Sequence, residues 1–514
     1  MLSHYLSDII SFEDIKNWKG KFVYIKAGTN AGKTYFTTHK LYDYHLENGG
    51  RILLVQPRTT LKKQSRNKVI KKNLQKIIEV VTYQKLEYKA DNGTLESYLQ
   101  QFETIVCDEF QYFLSDSAIN QFTQISFDAL VKSGKTILLL SATGEKMADY
   151  ITSRCNIDLI TVEFEGLHRE IQNMYYYEDD AGLDQIIDMA ITKGNKLLVF
   201  VNDIKKGIAL YERHPKHSAF YCSKSNIKNR KYLEYIDEEE YNNIVHNERF
   251  EKTVYICTKA FDVGINIKDD SVNEIVIDGI TDIDEIIQCV GRKRITHDGQ
   301  RVALYVRNIE NTRLRAYMSR EKRLINIVKK LVNEGRAAYL KELKRQRFRE
   351  PQDFIYEIED DTEKHVNYLR LYHAECQYEN LRKMTSIKQT GYLQVIMETF
   401  DIKKLVWWDS DEDNDLLEYL ESLALSDNPK RKKENNLKWL LDDDAKREFI
   451  ERLNLNRRHK LIEGQKVKFV NAFIRDQKGF PYEVIQRETC RRINGKKKKY
   501  KIAWAVIRKP CSKR

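Results

Sequence analysis

Two short stretches of this 514-residue chain hold side chains whose types and spacing suit phosphate chemistry. The first, Ala27-Gly28-Thr29-Asn30-Ala31-Gly32-Lys33-Thr34, sets a run of small residues ahead of a lysine and a hydroxyl. Small side chains let backbone N–H groups close on phosphate oxygens, and a helix opening at the end of such a loop adds the positive end of its dipole. Lys33 would supply a point charge to the β and γ phosphates of a nucleotide such as ATP, and the Thr34 hydroxyl would ligate Mg2+. The second stretch, Asp108-Glu109-Phe110-Gln111, puts two carboxylates directly after the apolar residues Ile105, Val106 and Cys107. Asp108 would hold Mg2+, directly or through water, and Glu109 would orient and deprotonate an attacking water. Acidic residues capping a surface helix are the plain alternative, but an apolar strand places this pair at the edge of a buried sheet, where α/β folds put ligands.

Both stretches need strands to carry them. Phe22–Lys26, Ile52–Gln56, Thr104–Cys107 and Thr136–Leu140 are short apolar runs, each followed by a polar or glycine-bearing segment. A second set follows at Lys196–Val201, Val254–Cys257, Glu274–Ile277 and Val302–Val306. Apolar strands separated by helix-like stretches predict an α/β fold of two tandem parallel-sheet domains, with a boundary near Asn156 to Asn173. After Asn308 the pattern turns helical, from Glu310 to about Gln346 (Leu324, Val328 and Leu331 on one face) and again from about Glu363 to Thr399. Residues 1–155 are read as the nucleotide-binding domain, 156–309 as the second α/β domain, 310–429 as a helical accessory region and 430–514 as a basic C-terminal region.

Charge sharpens that last assignment. Lys430–Arg514 holds 27 basic and 10 acidic residues, whereas the rest of the chain holds 61 and 66, so the net excess of +12 comes from this segment. A local field of that sign implies a polyanionic partner, and interleaved aromatics such as Phe469, Tyr482 and Trp504 favour a folded basic domain over a solvated tail. Lys496-Lys497-Lys498-Lys499 follows the turn signal Asn494-Gly495 and reads as a hairpin tip, either gripping phosphates or simply solvated. Trp407-Trp408 could stack on bases, but beside Leu405 and Val406 the pair reads as packing.

In their order, these motifs resemble those of superfamily 2 helicases. Ala27 to Thr34 matches A-x-x-G-x-G-K-T with Asn30 at the middle glycine; Asp108–Gln111 matches the D-E-x-x box, and Ser141-Ala142-Thr143 the S-A-T element. Gln56-Pro57-Arg58-Thr59-Thr60-Leu61 and Val81-Thr82-Tyr83-Gln84-Lys85-Leu86 fall between them, and Thr258–Asn266 and Gln288–Arg294 follow in the second half. The resemblance implies two RecA-like domains and an ATP-hydrolysing enzyme that moves on nucleic acid. It implies that Arg292 acts as an arginine finger, that Gln288 contacts the nucleotide across the cleft, and that Gly264 and Asn266 couple the domains. Pro57, Arg58, Thr82 and Thr258 would touch the phosphates of one strand, while Gln111, Ser141 and Thr143 would link hydrolysis to domain movement. Arg294 lies one residue earlier than the last arginine of the usual pattern, with Ile295 in that place. This spacing resembles herpesvirus-type origin-binding helicases and phage or plasmid replication proteins, and leaves the role of Arg294 open. Single-stranded or forked DNA is the partner this implies, with RNA possible and replication or recombination proteins as further partners. A duplex translocase and a non-catalytic nucleic-acid-binding protein are the rival readings.

The eight cysteines contain no CxxC pair, which argues against a zinc site or disulfide framework. No apolar run is long enough for a membrane span and Met1–Ile10 lacks a basic leader, so the expected location is cytoplasmic.

Overall fold

The computed structural model describes residues 5–28, 31–57, 59–120, 122–164, 170–224, 227–258, 266–294, 297, 300–356, 364–387 and 390–408. Toward the C-terminus it describes 419–420, 422–423, 439–440, 443–453, 466–472, 474, 482–493 and 496–508. The chain divides into two compact units: Met1–Ile171 with Ala190–Leu304 and Asn308–Asp401, and Gln172–Met189 with Tyr305–Arg307 and Ile402–Arg514.

In the first unit, six strands form one parallel sheet. They are β1 (Phe22–Ala27), β2 (Ile52–Gln56), β3 (Ile78–Thr82), β4 (Thr104–Asp108), β5 (Thr136–Ser141) and β6 (Leu159–Phe164), in the order β3-β2-β4-β5-β1-β6. β2 and β5 are buried at every position, as continuous apolar runs demand. The two strands that the apolar-run criterion passes over, β3 and β6, are the sheet's edges. Burial in β6 alternates between half-buried and exposed from Thr161 onward, so an edge strand needs no unbroken apolar sequence.

The second half of this unit repeats the plan. β7 (Glu170–Tyr177) passes from this unit into the second, and β8 (Lys196–Val201), β9 (Ser218–Tyr221), β10 (Val254–Thr258) and β11 (Val272–Asp278) follow in the first and align in parallel as β11-β8-β10-β9. β12 (Arg301–Arg307) ends this stretch. Two parallel-sheet α/β halves therefore stand as the sequence leads one to expect.

The helical region opens with Asn311–Gln346, which breaks at Gly335, where φ is 82° and ψ 178°. A two-residue ladder, β13 (Ile355–Tyr356) with β14 (His365–Val366), leads to the helix Tyr368–Ser386 and then Gly391–Thr399. Asn367 caps the longer helix by accepting from the Arg370 N–H at 3.0 Å.

In the second unit, β15 (Leu405–Trp407) runs parallel to β7, pairing Leu405 with Met174 and Trp407 with Tyr176. Trp407 meets Tyr176 edge-on at 4.9 Å, and Trp408 meets Tyr305 at 5.1 Å, so both tryptophans are committed to an aromatic cluster. β16 (Trp439–Leu440), β17 (Tyr482–Ile493) and β18 (Lys496–Arg508) make an antiparallel sheet in the order β16-β18-β17. Its core gathers Leu420, Phe449, Val470, Tyr482, Trp504 and Val506. β17 and β18 pair from Tyr482↔Arg508 to Ile493↔Lys496, which makes Lys496–Lys499 the first residues of the returning strand; Asn494 and Gly495 lie outside the described residues. Among the described residues no helix is long and apolar enough to cross a membrane.

Candidate active site

β1 delivers the phosphate-type loop at its C-terminal end. Gly32 adopts a left-handed conformation (φ 81°, ψ 22°) just before the helix Lys33–Thr38, a turn that disfavours any side chain. Thr29 and Asn30 lie outside the described residues. The Lys33 ammonium donates to the Ala27 carbonyl at 3.1 Å and stands 3.8 Å from Glu109 Oε1. Thr34 occupies the second position of the helix, next to Lys33.

β4 delivers the carboxylates. Asp108 is its last residue, and Glu109 follows with φ at 51°, in the left-handed region that a residue with a Cβ adopts only at a cost of roughly 1–3 kcal/mol. Consecutive side chains of a strand face opposite ways; the left-handed turn ends the strand and brings the second carboxylate to Lys33. Burial, then the Glu109 charge, push the Asp108 carboxyl up to about 6 against the opposing pull of Lys33 and Gln56. Among the described residues its Oδ1 is buried with no hydrogen-bond partner. A buried anionic oxygen left unsatisfied suits a hard divalent cation. Burial also acts to raise Glu109, but Lys33, the Gln111 amide, Arg292 and Arg294 outweigh it and hold this carboxyl below its usual value. The Gln111 Nε2 donates to Glu109 Oε2 at 2.7 Å, so Gln111 touches the carboxylate directly.

The arginines arrive from the other half of the unit. Asp282 caps the helix Ile283–Arg292 by accepting from the Asp284 N–H at 2.9 Å, and Gln288 and Arg292 lie one turn apart on it. The helix stops at Arg292, and Lys293 is extended (φ −72°, ψ 106°). A short parallel bridge with Ile267 takes over, in which the Ile267 N–H donates to the Arg292 carbonyl at 2.9 Å and the Arg294 N–H to the Ile267 carbonyl at 2.8 Å. Lys293 is buried, and Arg294 Nε donates to Asn266 Oδ1 at 2.6 Å. The helix gives way to extended backbone at Lys293, and the charges of both arginines, two residues apart, act on Glu109.

Packing ties the motifs together through residues that the motif reading does not single out. A Cβ on Gly144 would meet the Phe110 ring at 2.3 Å, so only glycine fits after Thr143. The Gly144 N–H donates to the Tyr24 hydroxyl at 3.2 Å, and Tyr24 meets Phe110 edge-on at 5.1 Å. Ser141 Oγ accepts from the Thr143 N–H at 2.8 Å, closing the turn. The Tyr83 hydroxyl donates to the Asp108 carbonyl at 3.0 Å and its ring stacks on Tyr112 at 4.4 Å. Gln84 Nε2 donates to the Tyr112 hydroxyl at 3.0 Å and lies 3.4 Å from the Pro57 carbonyl, linking the loop after β2 to the carboxylate strand. Gly144 directly follows Ser141-Ala142-Thr143, and Phe110 sits inside the acidic box, so adjacency was the available signal for both.

Pro57, Thr82 and Thr258 sit at or just past the C-terminal ends of β2, β3 and β10 and are buried. Arg58 and Gly264 lie outside the described residues. Lys33, Glu109 and Gln111 therefore meet beside Asp108, and the charges of Arg292 and of Arg294, which Asn266 holds, act on Glu109.

No protein-family model matches the chain, and no curated protein matches its sequence. Solved structures with similarity include an S. cerevisiae Dbp5 variant bound to RNA and ADP BeF3 (16% identity, TM-score 0.40, 56% of this chain and 79% of that one). The Escherichia coli DEAH/RHA helicase HrpB aligns at 14% identity and TM-score 0.40 over 59% of this chain and 42% of its own. A DEAD box protein from Methanococcus jannaschii aligns at 14% and TM-score 0.31, over 64% and 87%.

Two tests follow from the geometry. Ionised Asp108 destabilises the fold, because its folded carboxyl is raised above the ordinary 3.8 to about 6. Asp108→Asn should therefore stabilise the ligand-free protein by on the order of 1–3 kcal/mol at neutral pH. The gain should fade as pH falls from about 6 toward 4, where wild-type Asp108 is itself protonated; denaturant titrations at pH 7.5 and 4.5 check this. A Cβ added to Gly291 would meet nothing within 4 Å, and the residue is helical. Gly291→Ala should leave the melting temperature equal or higher, by about 0.4–1 kcal/mol of added stability. Thermal melting of the two proteins checks this; a lower melting temperature for Gly291→Ala would contradict it.

Proposed function

We propose that this protein is a nucleic-acid-dependent ATPase of the helicase type, which couples ATP hydrolysis to movement along one strand of DNA. The observation that carries the reading is the position of Glu109, held below its usual pKa by Lys33 of the phosphate-type loop and by Arg292 and Arg294 of the second half. A carboxylate so placed stays ionised and can accept a proton from an attacking water. Lys33 and the backbone of Gly28, Ala31 and Gly32 would hold the phosphates. Thr34 and Asp108 would hold Mg2+, which neutralises charge on the β and γ oxygens. Arg292 would stabilise charge developing on the transferred phosphoryl group, with Arg294 steadied beside it by Asn266 and Gln288 reaching the nucleotide from the same helix.

Pro57, Thr82 and Thr258 close strands in both halves and would meet the sugar-phosphate backbone, which positions a strand without reading its sequence. Gln84 contacts Pro57 and Tyr83, next to Thr82, contacts Asp108, while the Ser141–Gly144 turn packs on Phe110 beside it. Strand binding and water activation thus share one packed set of residues. The basic hairpin of β17 and β18 adds a nonspecific polyanion contact. The motif spacing at Arg292 and Arg294 supports DNA as the track and a role in replication or recombination of a phage or mobile element.

ATP hydrolysis should be stimulated by single-stranded DNA, and Lys33→Ala should remove at least 99% of it. Arg292→Ala should lower kcat about 10²- to 10⁵-fold, spanning the ranges for a lost oxyanion-hole donor and a lost arginine finger. Stimulation by single-stranded RNA alone would move the assignment to RNA; none by either, with Lys33→Ala matching wild type, would sink the motor. Unwinding of a forked duplex then separates a helicase from a translocase. Replacing Lys496–Lys499 together by glutamine should flatten the slope of log affinity against log salt by up to about 3, at roughly 0.7 per phosphate contact on a single strand. An unchanged slope assigns that tip to solvent.

A further inference from the structure

The helix Tyr368–Ser386 touches both parallel-sheet halves of the first unit. Toward its start the Leu369 N–H donates to Gln124 Oε1 at 2.9 Å, and the Tyr372 hydroxyl bonds Asp149 with its ring 5.2 Å from Tyr150. Glu375 pairs with Arg154 at 2.9 Å. One turn apart on the same helix, His373 and Gln377 converge on a single carboxylate oxygen of Asp282. His373 Nε2 lies 3.5 Å from Oδ2, and Gln377 Nε2 donates to it. Among the described residues the His373 Nδ1 is buried with no hydrogen-bond partner.

Asp282 is the N-cap of the helix Ile283–Arg292. At the same helix start, Asp284 pairs at 2.7 Å with Lys146, which stands on the helix Glu145–Ser153 directly after the Ser141–Gly144 turn. The N-terminus of the arginine-bearing helix is therefore held by the element after that turn and by the long accessory helix. Its C-terminus carries Arg292, whose charge acts on Glu109. Ten residues span about 15 Å, short enough for a helix to move as one rigid rod. Burial acts to raise the Asp282 carboxyl, but contact with His373 and the Lys146 charge outweigh it and keep it well below the usual range.

We propose that Asp282 is a positioning residue for Arg292, and that Lys146, His373 and Gln377 set it. Through that joint the accessory helix and the segment after Ser141–Gly144 fix how the arginine end stands against Glu109. Apolar packing would hold two halves together as well or better; a charged joint can be made and broken as the halves move. The proposal rests on the ATPase reading, since it concerns the same arginine.

The test is steady-state ATP hydrolysis by the full chain with single-stranded DNA, with thermal melting alongside. Asp282→Ser keeps a capping oxygen but loses the charge, Asp282→Ala loses both, Lys146→Met removes the cation, and Lys146→Arg restores it. Asp282→Ser and Lys146→Met should lower kcat about tenfold with KM for ATP within twofold, measured well below each variant's melting temperature, because removing one partner of a buried pair also lowers melting. Lys146→Arg should recover most of kcat. An Asp282→Ser protein that matches wild type while Asp282→Ala does not would reduce Asp282 to a helix cap and overturn the proposal. Losses that appear in KM instead of kcat would also overturn it. A wild-type chain with no stimulated hydrolysis sinks the ATPase reading and this joint with it. Wild-type hydrolysis that Lys33→Ala abolishes and Lys146→Met leaves intact sinks the joint alone.

Discussion

Two adjacent carboxylates at the end of a buried strand cannot both stay charged without nearby cations. Asp108 and Glu109 meet that constraint unequally: the first is pushed toward protonation, and the second is kept ionised by Lys33, Arg292 and Arg294. The loop after β1 brings one cation, and the helix Ile283–Arg292 with its extended exit brings two. Much of the first unit can be read as the scaffold that holds these three sources of charge within reach of Glu109. The left-handed backbone at Glu109 is the local cost of turning the second carboxylate toward them.

Around that centre the motifs are joined by aromatic packing. Phe110 fills the space that a side chain at Gly144 would need, and Tyr24 both touches Phe110 and accepts from the Gly144 N–H. Tyr83 fixes the Asp108 carbonyl and stacks on Tyr112, whose hydroxyl reaches Glu87 at 3.1 Å. A close-packed interior transmits displacement, because a shift of one ring must be answered by its neighbours. The Ser141–Gly144 turn and the acidic box therefore form one mechanical piece.

The helical region adds a second level of constraint. Its longest helix breaks at Gly335, and the next returns along the first half while its middle turns meet Asp282. The pattern of leucines and charges in this region predicts helices, and helices are present. Nothing in helical periodicity says which surface a helix will cover, so the contact with Asp282 was invisible to it.

The chain's own order of residues determined the phosphate-type loop, the acidic pair and the two sets of parallel strands. Each is written in neighbouring residues: small side chains before Lys33, carboxylates after an apolar strand, β-branched runs between helices. The edge strands β3 and β6 were less legible, because a strand covered on fewer sides needs no continuous apolar sequence. Only the tertiary structure decided what Arg294 does with its shortened spacing, since that depends on where the helix ends and on the bridge to Ile267, twenty-six residues before Lys293. It also decided that Gly144 must lack a side chain and that Asp282, His373 and Lys146 meet. Those facts are distances between residues far apart along the chain, and local spacing carries no record of them.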